Sequence, residues 1–464
     1  MPLTLYPATA TATTASTARA VCLLALGYCV LLASPASWAQ SAGEVEFTRG
    51  VGYAQSPGQN PRILGKGLEF REGDTLSTAA GSSAIIRLQD GTRMTLRPGT
   101  DMVVQQFQYR EGAANNSMVM QLFSGGLRAI TGLISKNAPD AARLQTKTAT
   151  IGIRGTDFDA RICQRECASE SAKVPEKANP NTVQASAKLI GTQGEIMAVD
   201  GSGARRRLVD GAAIYPGETV ETGSAARGVL AFRDDSRLTL GATTRFRVDS
   251  FVYDEKNAAE GKFLVSLLRG SVRALTGLIA KSNNRNVGFT TATATIGVRG
   301  TGLDMQCDDS CNFFTWLGTI EVTPTGSFGT AGQTALQTLS AGQGLFVSAS
   351  GMRAITAPPL ENLPRPDSVP VDTKQLFSTA AMSDDQEGLY VFVRDGHIEI
   401  TTNSETLQLG KGETGFASDA GRTIRPLLTP LFLEFDRTPK PNSSNPMLQS
   451  LLNETVTRAA NQCR

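Results

Sequence analysis

Histidine is almost missing from this chain: His397 is the only one in 464 residues. Imidazole chemistry, as a general base or as a metal ligand, therefore has one candidate at most. His397 follows the hairpin-turn pair Asp395-Gly396 and precedes the alternating Ile398-Glu399-Ile400, which reads as a turn-flanking surface position. Charge is also scarce. Only 19% of residues are charged, and 45 basic side chains stand against 43 acidic ones, a formal net charge of +2. No broad field follows from that balance, and nucleic acid is disfavoured as a partner. The one short basic run, Arg205-Arg206-Arg207, follows Gly203 and reads as a solvated turn.

Sequence patterns for catalysis are lacking too. There is no Gly-x-Ser-x-Gly elbow, no Walker-type phosphate loop, no histidine pair at metal spacing and no Cys-His arrangement. Paired carboxylates could act on a glycan, and Asp234-Asp235 and Asp308-Asp309 are the first to examine. Both pairs sit in predicted turns, where Asp is expected for backbone reasons. The expectation is a protein that is not an enzyme, with no cofactor and no metal.

Long apolar runs are limited to the N-terminus. Arg19 precedes an apolar stretch from Ala20 to Ala33, and Ser37-Trp38-Ala39 offers small residues where a signal peptidase needs them. The run is shorter than the about 20 residues of a membrane span. Residues 1–39 thus read as a signal peptide cleaved after Ala39, with no stable span afterwards; an uncleaved N-terminal anchor is the alternative. Tyr28 before Cys29 speaks against lipoprotein processing. The implied location is periplasmic or secreted, in a bacterium.

The mature cysteines are then Cys163, Cys167, Cys307, Cys311 and Cys463. Two C-x₃-C pairs in an exported chain read first as short-loop disulfides. Zinc bound by four thiolates is the competing reading. Cys463 is odd and either pairs between chains or stays free.

What is abundant is repetition. Thr148-Ala-Thr-Ile-Gly-Ile-Arg-Gly-Thr156 returns as Thr293-Ala-Thr-Ile-Gly-Val-Arg-Gly-Thr301, and Leu122–Lys136 returns as Leu267–Lys281, both at an offset of 145. Upstream, Gly73-Asp74 meets Gly217-Glu218, and Leu88–Leu96 meets Phe232–Leu240, at an offset of 144. Within each copy, short alternating segments are broken by turn residues. Ile86, Leu88, Asp90-Gly91, Met94 and Leu96 describe a hairpin with one apolar face.

The fold class is therefore all-β, with two homologous modules of short antiparallel strands arranged as a sandwich or solenoid-like roll. Copy B continues beyond its cysteines through Trp316–Val322 and Leu339–Phe346. The matching piece of copy A arrives only later, as Arg394–Ile400 and Leu409–Phe416. That order suggests that B is inserted in A at the cysteine loop. The expected organisation is module A at 40–170, a linker at 171–184, module B at 185–350 and a Pro-rich linker at 351–385. Strands completing A follow at 386–420, and a C-terminal extension at 421–464 carries a short helix from Met447 to Ala460.

These residues resemble the FecR domain family. The resemblance rests on Gly73-Asp74-Thr75-Leu76-Ser77-Thr78, on the Asp90-Gly91 hairpin, on Gly125 to Ala129, and on the strand ending in Arg-Gly-Thr. Its family-motif residues are Gly152, Arg154, Gly155 and Thr156 in A, and Gly297, Arg299, Gly300 and Thr301 in B. Pro216-Gly217-Glu218 and Asp234-Asp235 are mild departures in copy B. The resemblance implies a periplasmic, mostly β domain that senses or relays through protein contacts. The founding type of the family is an inner-membrane anti-sigma regulator that reads the signalling domain of a TonB-dependent iron transporter. This sequence departs from it in lacking an anti-sigma segment before the apolar run and a clear spanning helix, so it looks like the stand-alone exported members. The implied function is non-catalytic binding or signalling through a protein partner in the envelope. The alternative is a structural or scaffolding role with self-association.

Overall fold

The computed structural model describes residues 41–138, 141–164, 166–325, 336–442 and 444–446. The signal-peptide segment, Cys463 and the helix expected from Met447 to Ala460 lie outside the described residues. The C-terminal helix that is described is one turn, Leu431–Glu434.

The structure is all-β, in two hydrogen-bonded sheets of 16 and 15 strands. Five strands reach 14 residues: β1 (Thr150–Cys163), β2 (Lys262–Leu275), β3 (Ala294–Cys307), β4 (Cys311–Pro324) and β5 (Gly388–Thr401). Pairing is antiparallel apart from one parallel pair per sheet, at matching places: Ser117–Ser124 with Ala142–Gln145, and β2 with Val287–Thr291. The Asp90-Gly91 hairpin joins Ser83–Leu88 to Arg93–Leu96, with Ile86, Leu88, Met94 and Leu96 all buried. Leu127 to Ile134 splits into a strand ending at Ile130 and a helix beginning at Leu133.

In the second sheet β3 and β4 form a hairpin, with registers running from Ala294↔Pro324 to Cys307↔Cys311. In the first sheet the same place beside β1 is taken by β5, from Thr150↔Thr401 to Cys163↔Gly388. The strands Thr406–Leu409, Thr414–Ser418 and Thr423–Ile424 extend that first sheet. The first core accordingly contains Leu389, Val391, Val393, Ile398 and Ile400 alongside Ile86, Leu127 and Ile151. The second core is centred on Phe232, Phe251, Phe263 and Phe289, whose neighbouring rings sit 4.7–5.9 Å apart in tilted or edge geometry.

Each cysteine pair is bonded within itself, Cys163 to Cys167 and Cys307 to Cys311. Sulfurs bonded in this way offer no thiolate to a zinc ion. Closing a loop this short stabilises by about 2 kcal/mol in the chain-entropy picture. Cys307–Cys311 only clips a hairpin that is already paired. Cys163 and Cys167 also sit in a separate small core with Tyr390, Phe416, Phe432 and Leu433. Cys307 and Cys311 are buried in the second core as well, so serines put two hydroxyls into a core in either module. Replacing the first-module pair is expected to cost more because, of the two bridges, it alone ties a strand to a separate element, β1 to the Glu166–Ser171 helix, whereas the second clips strands already paired. Urea unfolding of the two double variants tests the order, and equal losses would refute it.

Candidate functional site

One turn occurs four times and organises the polar interior. A glycine at positive φ (Gly73, Gly217, Gly342 and Gly412, φ 80–89°) is followed by Asp74, Glu218, Gln343 and Glu413. Each of these side chains accepts a hydrogen bond from the backbone N–H three residues earlier, on Arg71, Tyr215, Ser340 and Gly410, at 2.8–3.0 Å. Only glycine adopts that φ without strain. The three carboxylates each take an arginine: Asp74 with Arg62 at 2.7 Å, Glu218 with Arg206 at 2.8 Å and Glu413 with Arg425 at 3.3 Å.

Two of these turns meet between the modules. Glu413 also accepts from the N–H of Gln184 at 2.5 Å, and Gln408 Oε1 accepts from the N–H of Ala213 at 2.8 Å. Asn181 donates to the carbonyls of Thr414 and Pro426 and accepts from the N–H of Thr414. Tyr215 is buried there, and burial pushes its phenol well above the ordinary range, helped by the nearby Glu413 carboxylate. A Cβ on Gly410 would stand 2.3 Å from the Tyr215 ring, so only glycine lets the two surfaces close.

Two expectations are corrected here. His397 is not a surface turn residue: it lies inside β5, its ring 4.4 Å from that of Tyr215 and its side chain 24% exposed. Arg205–Leu208 is a strand and not a solvated turn; the middle arginine, Arg206, is buried against Glu218.

The motif residues lie where the long strands kink. Gly155 and Gly300 both have φ of +61°, and the register of β1 and β3 shifts beside them. Thr156 donates its N–H to Thr131 Oγ1 and its hydroxyl to His397 O at 2.9 Å; Thr301 donates its N–H to Thr276 Oγ1 and its hydroxyl to Thr319 O at 3.0 Å. Arg299 pairs with the Glu321 carboxylate. Gly152 and Gly297 have room for a Cβ at ordinary contact distance. As for the carboxylate pairs, Asp234 spends both oxygens on Ser236, Asp235 pairs with Arg237, and Asp308 pairs with Arg269.

A second feature, which sequence reasoning missed, repeats on the face opposite each core. Cross-strand registers align Thr95, Arg128, Asp159 and Phe392 into one rung of the first sheet, and Thr239, Arg273, Asp304 and Phe314 into the same rung of the second. Each rung is covered by the irregular chain that follows the last hairpin of its module. In the first, Thr95 donates to Pro439 O at 2.8 Å and Arg394 donates to Leu433 O at 3.1 Å. In the second, Arg273 donates to the carbonyls of Leu360 and Leu363, and Arg237 to those of Val369 and Val371. Burial pushes the Asp159 carboxyl up, against the pull of Arg394 and Arg128. Arg97, buried beside Arg161, is lowered to about 10. The signal available in the sequence was the offset of 145 shared by Arg128/Arg273 and Asp159/Asp304.

These features define a class: a duplicated all-β module with a glycine-kinked long strand and a covered polar rung. The family model described as FecR protein matches residues 74–173 and 218–321, one region in each sheet. Both modules are thus FecR domains. Two crystal structures of a candidate anti-sigma factor from Parabacteroides distasonis are similar to 31% of the chain at 14% identity, with a TM-score of 0.24. The chain spans 61% of the length of that protein. No curated protein matches it.

Proposed function

We propose that this chain is a non-catalytic binding or signalling protein of the bacterial periplasm or of the secreted fraction, acting through protein contacts, with module B carried as an insert within module A. The observation that carries the reading is the FecR match in both modules, a family of regulators. Two disulfides suit an oxidising compartment. Among the described residues no helix is long and apolar enough to cross a membrane. The polar junction at Glu413 and Tyr215 favours two modules held in one arrangement, as a relay needs. The test is crosslinking of the tagged chain in intact cells, followed by fractionation and mass spectrometry. The expected outcome is a periplasmic or secreted protein with its N-terminus at Gln40 and one stoichiometric partner protein. Recovery of crosslinks only between copies of itself would favour scaffolding and refute the relay.

A further inference from the structure

The two rungs are alike, but the segments that cover them are not. Leu431–Pro441 over the first and Leu360–Thr373 over the second differ in sequence, yet both are interrupted by proline, and both are held largely through their carbonyl oxygens. A surface that grips carbonyls reads the course of a backbone, here one of turns with a 3-10 turn at Pro366–Ser368, and tolerates a change of side chains. Proline suits such a segment because it fixes φ, as at the start of the Pro366–Ser368 turn, and has no N–H to leave unpaired.

The two covers differ in how firmly they sit. The first buries Phe432 and Leu433 among Tyr390, Phe416 and the Cys163–Cys167 bridge, and its Asp436 pairs with buried Arg97. The second buries only Leu360 and Pro366; the residues between and after them up to Thr373 are half-buried or exposed. Arg365 lies over the Trp316 ring at 4.3 Å, and Trp316 occupies the bulge of β4 that Arg394 occupies in β5. An open cleft of about 580 Å³ runs beside this cover, lined by Asp235, Arg237, Pro370, Val371 and Thr373. The second rung is also firm without its cover, because Asp304, fully buried, holds Arg273 through two bonds of 2.7 and 2.8 Å.

We propose that the Thr239–Arg273–Asp304–Phe314 rung, with Arg237 and Trp316, is a binding site for a proline-interrupted, turn-forming peptide of a partner protein, and that residues 360–373 are its intramolecular stand-in. The inference rests on reading the chain as a protein-binding module, and it names the surface and the chemistry of the partner. A cover that occupies the site in cis lowers the apparent affinity for a peptide in trans by the fraction of time the site is open.

The experiment uses the full-length protein and a fluorescent synthetic peptide of residues 358–374. Leu360→Asp with Pro366→Asp loosens the cover. Arg273→Met with Asp304→Leu removes both rung charges together, so that neither is left buried alone. The loosened variant is expected to bind the peptide at least tenfold more tightly than the wild type, and adding the rung pair should abolish the gain. Hydrogen exchange should show residues 360–373 opening faster than β2 in the wild type, with β2 equally protected in every variant. A loosened variant with a protected β2 that binds no peptide would overturn the proposal. So would a cover that exchanges only when β2 does. A loosened variant that dimerises without binding peptide would assign the rung to a second copy instead, also against the proposal. Peptide binding is measured on purified protein, so a cellular crosslinking experiment that fails leaves it standing, and the two failures are distinguishable.

Discussion

Glu413→Ala is expected to destabilise the folded protein by about 3–5 kcal/mol, the cost of leaving one member of a buried ion pair alone. Glu413 is fully buried and its partner Arg425 is 2% exposed. The carboxylate also accepts from the N–H groups of Gln184 and Gly410, so its removal strands two backbone donors as well as a guanidinium. The molecule contains its own control. Gln343 fills the same place in the second module, accepting from Ser340 N at 2.8 Å with its side chain in an exposed setting. Gln343→Ala should cost about 1 kcal/mol, the worth of one neutral hydrogen bond. Urea unfolding of the two variants checks the contrast. Equal losses would mean that the junction charge is solvated and that the modules are not locked through it.

The same contrast shows where sequence reading stopped. The duplication was legible because identical residues return at fixed offsets, and the Asp90-Gly91 hairpin because a turn pair separates two alternating runs. The rungs were not. Thr95, Arg128 and Asp159 occupy the outward positions of alternating strands, where period-two patterning assigns polar residues to solvent. Their burial comes from a cover far along the chain, which no local pattern contains. Arg206 was misread for a related reason: three arginines in a row look solvated, and only the pairing partner Glu218, twelve residues on, distinguishes the middle one. The spacing is repeated by Arg62 and Asp74, so an internal comparison held that signal. His397 was misread because its neighbour Tyr215 belongs to the other module. The four-fold turn shows how one local rule serves different ends. Its glycine and acceptor close the backbone in every copy, and the choice among Asp, Glu and Gln decides whether an arginine is recruited and a junction charged.

Lys188→Met is expected to stabilise the protein near neutral pH, by about 1–3 kcal/mol. Burial lowers the Lys188 ammonium from 10.5 to about 8, and the nearby Arg425 guanidinium adds to the effect while Glu413 opposes it. The ammonium lies 5.6 Å from the centroid of the Phe377 ring, a weak compensation for lost water. The sign follows from proton counting. Below about pH 8 both the folded and the unfolded chain carry the charge, and folding bears the whole cost of burying it. Between about 8 and 10.5 the unfolded chain binds more protons than the folded one, so stability rises with pH across that window and levels off above it. Methionine keeps the aliphatic stem and removes the titration. The advantage of the variant should therefore be largest at pH 6–8 and shrink towards pH 10.5, read as the difference in urea-unfolding free energy between the two proteins at each pH. A difference that stays constant with pH would show that the ammonium reaches water. The cationic side of the module junction would then be a solvated edge, and the closed contact between the two domains would rest on Glu413, Asn181, Tyr215 and Gln408 without a contribution from Lys188.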